Sequence, residues 1–139
     1  MRPIAIPILF VSAGIIVTVA VNALGQPLAG AGDARRGRSL AFDRESACTL
    51  CHQLPADGPN EVPPAGGNLG PPLAGTGGRW TTAQLRSRLV DPAQFNPQTI
   101  MPAYLRRDGL VAVASNYQGR TILNEQQIED LVAWLSILK

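Results

Sequence analysis

Cys48-Thr49-Leu50-Cys51-His52 is the stretch on which the reading of this chain turns. It has the form C-x-x-C-H, the attachment signature of a c-type haem. Two thiols three residues apart share one helical turn, so both can reach the two vinyl groups of a single porphyrin. The next residue then brings its imidazole under the iron. Other uses of paired cysteines fit less well. A structural disulfide or a thioredoxin-like C-x-x-C has no need of His52, and no βαβ pattern surrounds it. A zinc site wants a fourth ligand of the Cys or His kind, and the chain has no further Cys or His to give.

Composition agrees independently. The chain has 139 residues, enough for one domain. Twelve basic and ten acidic side chains leave a net charge of +2, too balanced to argue for nucleic acid or an anionic membrane surface. Only seven residues are aromatic, while Gly and Pro together number 26. So few large side chains and so many breakers would struggle to fill a core alone. A buried porphyrin would supply the missing apolar bulk. Both cysteines are spent in the motif, so compartment must be argued from the N-terminus.

There, Arg2 precedes an uncharged, mostly apolar run from Pro3 to about Val21, and Ala23 and Ala29-Gly30-Ala31 offer small-residue cleavage sites. Residues 1–23 read as a cleaved export signal, with an uncleaved anchor as the alternative. Either way the rest is expected outside the cytoplasm. Residues 24–32 read as a flexible tether, and 33–139 as the folded domain.

Asp33 is a good N-cap for a first helix to about Phe42, in which Ala34, Gly37 and Ala41 form one stripe of small residues. Such a stripe lets another helix cross at close range. Asn124 and Gln127 open a last helix in capping-box fashion, and Ile128, Leu131, Val132, Leu135 and Leu138 repeat along it, with Trp134 at the stripe's edge. Six prolines and several glycines bar residues 54–72 from a long helix or central strand. Thr81 or Thr82 caps a short helix carrying Leu85 and Leu89, stopped at Asp91-Pro92. Asn96 to Pro102 is a constrained loop, and Leu110 to Val113 reads as a short strand.

His52 is the only histidine, which removes a bis-His iron built from this chain. Met101 is the only methionine beyond the initiator, and Pro97 and Pro102 stiffen its loop. A thioether is a soft, neutral donor, and Met/His is the ligand set of cytochromes c. Met101 is therefore the expected sixth ligand, with a gap-filling core Met as the bland alternative and Lys139 as a poorly preorganised rival. Two filled axial positions leave no place for substrate, which points to electron transfer.

The mature length resembles the class I cytochromes c, which implies an all-α fold of short helices and long Pro/Gly loops around one covalent haem c. The carriers are Cys48-x-x-Cys51-His52, Gly70-Pro71-Pro72-Leu73-x-Gly75-x-x-Gly78-Arg79 and Glu129-Asp130-Leu131-Val132-Ala133-Trp134-Leu135. The resemblance implies that the Pro71 carbonyl accepts a hydrogen bond from His52. It gives Arg79 as a partner of a haem propionate, with an exposed Arg as the alternative. It also implies that the last helix crosses the first near Gly37. Asn68-Leu69-Gly70-Pro71, Val90-Asp91-Pro92, Asn96-Pro97-x-Thr99-x-Met101-Pro102-Ala103-Tyr104 and Ile122-Leu123…Gln127-Ile128-Glu129-Asp130 are similar to the X subunits of SoxAX cytochromes.

That likeness implies a heterodimer with a larger haem-bearing A subunit, in which thiosulfate is conjugated to a carrier-protein cysteine and electrons pass to a downstream cytochrome. No catalytic residue is expected in this chain. The competing expectation is a free, diffusible carrier with no sulfur role, and a haem enzyme with a labile axial Met is a third. The connector 102–123 holds Leu105, Leu110, Val111, Val113, Tyr117, Ile122 and Leu123, which could cover the haem edge, dock a subunit or fold on its own core.

Overall fold

The chain folds as helices and loops, seen in a computed structural model that describes residues 30–139 apart from 57 and 59. The reading of residues 1–23, and that of the tether 24–32 as far as residue 29, fall outside those residues. Five α-helices follow in order: α1 (Ala34–Phe42), α2 (Cys48–Cys51), α3 (Thr76–Arg79), α4 (Thr82–Val90) and α5 (Glu125–Ile137). Turns of 3-10 helix lie at Pro92–Gln94 and Ser115–Tyr117. No strand occurs among the described residues, and no described helix is long and apolar enough to cross a membrane.

Local chemistry starts the helices where the sequence predicts. Asp33 caps α1 by accepting from the N–H groups of Arg35 and Arg36. Thr81 and Gln84 form a capping box on α4, and Asn124 and Gln127 form another on α5. Of the two threonines, then, Thr81 is the cap. The α4 helix ends at Asp91 because Pro92 cannot continue it.

The most extensive helix pair is α1 with α5. It closes on the small-residue stripe, where Gly37 and Ala41 are buried. At Gly37 the α5 backbone comes so near that a Cβ would overlap the Asp130 carbonyl oxygen. Asp130 faces this crossing and is buried, yet its carboxylate is fully engaged. It accepts from Asp33 N at 2.8 Å, Arg36 Nε at 2.7 Å and Gln126 Nε2 at 3.0 Å. The Arg36 hydrogen bond holds this carboxyl below its ordinary range. Residues 30–32 also lie along α5, where Gly30 N donates to Gln126 Oε1 at 2.7 Å.

Opposite, Arg86 of α4 clasps α5 through Glu125 and Glu129, each at 2.6 Å. Ile128, Leu131, Val132, Trp134 and Leu135 of α5 thus meet Leu85 and Leu89 of α4 in one core with Leu54, Tyr104 and Leu123. Leu138 is only partly buried, since it stands just past the helix as its C-cap.

The strand expected at Leu110–Val113 is not formed. Val111 is 90% exposed and Ala112 takes a positive φ of 55°, so the run has neither a partner strand nor an apolar face to bury. The connector is instead pinned at its two ends. Tyr104 N donates to Leu89 O and Leu123 N to Tyr104 O, both at 3.0 Å, and Tyr104 and Leu123 are buried.

Candidate haem site

The motif forms α2, a single turn, and His52 is its C-cap with its N–H bonded to Cys48 O at 2.8 Å. Ala47 enters this turn in the left-handed conformation, with φ 52°. Cys48 and Cys51 are free thiols one turn apart. Burial pushes the Cys48 thiol up, and it pushes the Tyr104 phenol up as well. Tyr104 ties this region to the later loop by donating its hydroxyl to Ser46 O at 2.5 Å.

The segment 67–73 runs alongside the motif as a second layer. Gly67 N bonds Thr49 O at 2.8 Å, Gly70 N bonds Cys51 O at 2.8 Å, and Leu73 N bonds Gln53 O at 2.9 Å. Such contact needs residues without side chains. A Cβ at Gly70 would overlap the His52 ring, and one at Gly67 would overlap the Leu50 carbonyl. Sequence reading took these glycines as breakers and missed this role. Only the crowding of Gly between two Pro-rich pieces could have signalled it.

The layer delivers Pro71 to the imidazole. His52 Nδ1 lies 2.7 Å from Pro71 O. A carbonyl can only accept, so Nδ1 donates, and in the neutral ring the lone pair is then on Nε2. Such a contact fixes ring orientation and makes the other nitrogen more basic. Arg79 reinforces the same loop, donating to Ala74 O at 2.7 Å and Pro72 O at 2.9 Å. Thr76, which sequence reading did not single out, fastens the loop to α5 by reaching Leu135 O at 3.0 Å.

Met101 comes from a separate loop held by its own polar groups. Asn96 Oδ1 accepts from Gln98 N at 3.0 Å, Thr99 N bonds Asn96 O at 3.0 Å, and Met101 N bonds Thr99 Oγ1 at 3.1 Å. The expectation of a constrained loop thus rests on side-chain turns as well as prolines. Lys139 Nζ is committed elsewhere, to Gly77 O at 2.9 Å.

His52, Met101, Cys48, Pro71 and Arg79 border one cavity of about 340 Å³, within the usual size of small-molecule sites. Its far wall is the core itself, through Leu85, Leu89, Tyr104, Leu131, Trp134 and Leu135. Among the described residues, no cluster of three His, Cys, Asp or Glu side chains suits a bare metal ion. The donors on the cavity wall are one imidazole, one thioether and the Cys48 thiol, with the Cys51 thiol one turn further on and outside the lining. That set fits an iron porphyrin attached through cysteine.

The family profile described as Cytochrome c matches residues 34–139. The chain belongs to the cytochrome c family, an electron-transfer class whose haem c is covalently bound. Within that class it resembles SoxX. A chain of the SoxXA crystal structure from P. pantotrophus matches it with a TM-score of 0.67 and 34% identity. The match covers 87% of this chain and 90% of that one, so the two are of nearly equal length. Comparison with curated proteins finds no match.

Proposed function

We propose that this chain is the monohaem X subunit of a periplasmic thiosulfate-oxidising SoxAX complex. The observation that carries the reading is a cavity bordered by both His52 and Met101, in a chain 34% identical to one of SoxXA. In this reading Cys48 and Cys51 would hold a haem covalently, and His52 and Met101 would supply nitrogen and sulfur donors to its iron. Residues 1–23 direct export. The partner is a larger haem-bearing A subunit, where thiosulfate is conjugated to a carrier-protein cysteine. Electrons leave to a downstream cytochrome.

When bound, the haem supplies a one-electron Fe(II)/Fe(III) couple, with a potential raised by Met/His ligation. The protein's part is to hold its donors still. Pro71 keeps the His52 ring in one tautomer and one orientation. The Asn96–Thr99 turns keep the Met101 backbone in place. Leu85, Leu131 and Trp134 exclude water, so little has to rearrange between oxidation states. Arg79 steadies the loop bearing Pro71, and its pairing with a haem carboxylate belongs to the same reading. No side chain on the cavity wall is assigned a bond-breaking role.

Met101→Ala should lower the reduction potential by on the order of a hundred millivolts, within the ~0.8 V that axial ligands span. It should also admit CO or cyanide. An unchanged potential would remove Met101 from the iron.

The reading as a whole is tested by purifying the tagged protein from its native periplasm and staining a denaturing gel for covalent haem. A second haem-bearing band in equal amount is the expected result. One band alone would favour a free carrier, and an unstained protein would overturn the haem itself.

A further inference from the structure

We propose that the Tyr104 hydroxyl is a positioning group for Met101: its bond to Ser46 O locks the Met101 loop onto the turn that carries Cys48 and His52. The inference rests on the haem reading above and adds a residue to which that reading gives no part. His52 and Met101 come from segments far apart in sequence, so their separation is set by whatever joins those segments. Among the described residues one hydrogen bond joins 96–104 to 46–52, and it runs from Tyr104 Oη to Ser46 O at 2.5 Å. Tyr104, Cys48, His52 and Met101 all border the same cavity.

Both ends of the bond are shut away from solvent. Tyr104 is 4% and Ser46 1% exposed, so water cannot take the phenol's place as donor. A carbonyl left unpaired there is costly. Burial of the ring does not itself need a hydroxyl, since phenylalanine would fill the same space.

On one side, the Ser46 carbonyl belongs to the peptide that leads into Ala47. The φ of 52° at Ala47 is a conformation that alanine keeps only where its surroundings impose it. The Ser46 hydroxyl donates to Leu40 O of α1, so this peptide is held from both directions, and Cys48 follows one residue later. On the other side, Pro102 and Ala103 alone separate Tyr104 from Met101. The fixed φ of Pro102 removes slack from that short lever. The backbone bonds of Tyr104 run elsewhere, to Leu89 O and from Leu123 N, and so fix it to α4 and the connector but not to the motif.

With the hydroxyl bond made, the thioether can withdraw only if the Met101 loop strains this lever or the Ala47 turn gives way. Without the bond the loop opens more often, and an outside ligand reaches the iron sooner. The coupling is reciprocal: a bond that holds Met101 in place is itself held by Met101 being in place.

The test uses oxidised holo-protein with Tyr104→Phe, checked by haem stain and by the far-red absorption band of thioether-bound Fe(III). The readout is the rate at which cyanide displaces Met101. It should rise about tenfold, as the loss of a buried hydrogen bond allows. Arg86→Gln is the comparison, because it breaks the ion pairs between α4 and α5 at a residue outside the cavity's lining. It should lower the melting temperature and leave the cyanide rate unchanged. An unmodified rate in Tyr104→Phe overturns the proposal. An equal rise in both variants also overturns it, since general loosening would then explain the effect. If Tyr104→Phe yields no holo-protein, the unmodified protein decides through the reciprocal effect. Displacing its Met101 with cyanide should speed solvent exchange of the Tyr104 hydroxyl proton, followed by proton NMR, and unchanged exchange overturns the assignment. An unmodified holo-protein without the thioether band would refute Met101 as a ligand, and Tyr104's role with it. The band present with an unmoved cyanide rate refutes Tyr104 alone.

Discussion

His52→Ala is expected to leave almost no stable holo-protein. The substitution removes the imidazole and also the Nδ1–Pro71 contact, which ties the 67–73 layer to the motif. The thiols would remain, but a haem held only by thioethers would lack its proximal ligand. The structural consequence is as large as the chemical one. The cavity borders Leu85, Leu89, Leu131, Trp134 and Leu135, which are also the core. Without its filling, the cavity leaves these core side chains short of packing partners and open to water. A small domain has about 5–15 kcal/mol of stability in all. The haem-free chain should therefore be largely unfolded or degraded. Haem-stained yield after purification is the measurement, and a normal yield would remove His52 from its assigned place.

Gly37→Ala should be nearly as damaging, although it adds a single methyl at a residue outside the cavity's lining. The added Cβ would overlap the carbonyl oxygen of Asp130, a backbone atom that cannot rotate away. The two helices would have to part along the crossing that brings Arg36 and Asp33 onto the Asp130 carboxylate. Overpacking of this kind costs typically 1–3 kcal/mol, and against rigid backbone we expect about 3 or more. Thermal unfolding of the two holo-proteins measures it. Gly78→Ala is the control, because a Cβ there meets nothing within 4 Å. It should be neutral or slightly stabilising, by about 0.4–1 kcal/mol at most. Equal melting temperatures for Gly37→Ala and the unmodified protein would show that the helices are not in such close contact.

The parts of this fold that depend on near neighbours could be read directly. Asp33, Thr81 and Asn124 cap their helices through residues two or three positions away, so the three longer helices begin where the sequence marks them. The expected strand at Leu110–Val113 failed for the converse reason. Four apolar residues satisfy a local pattern, but a strand exists only with a partner, and none lies beside this run. Likewise the α3 turn at Thr76–Arg79 carries two glycines and has little local reason to be helical. Thr76, through its bond to Leu135 O, helps to hold it against α5.

By itself, the sequence determined the chemistry and the ends of the chain's order: C-x-x-C-H, one histidine, one internal methionine, and a first and a last helix, each with a stripe to pack. These follow from covalent spacing and from helical periodicity, which act over a few residues. Only the tertiary structure decided what surrounds them. Gly70 must lack a side chain because the His52 ring occupies that space, and Asp130 can be buried because Arg36 reaches it across 94 positions. Arg88 lies between Trp80 and Phe95 because α4 and the turns at both its ends converge on the cavity. Such facts belong to pairs of residues distant in sequence, and only the folded chain brings those pairs together.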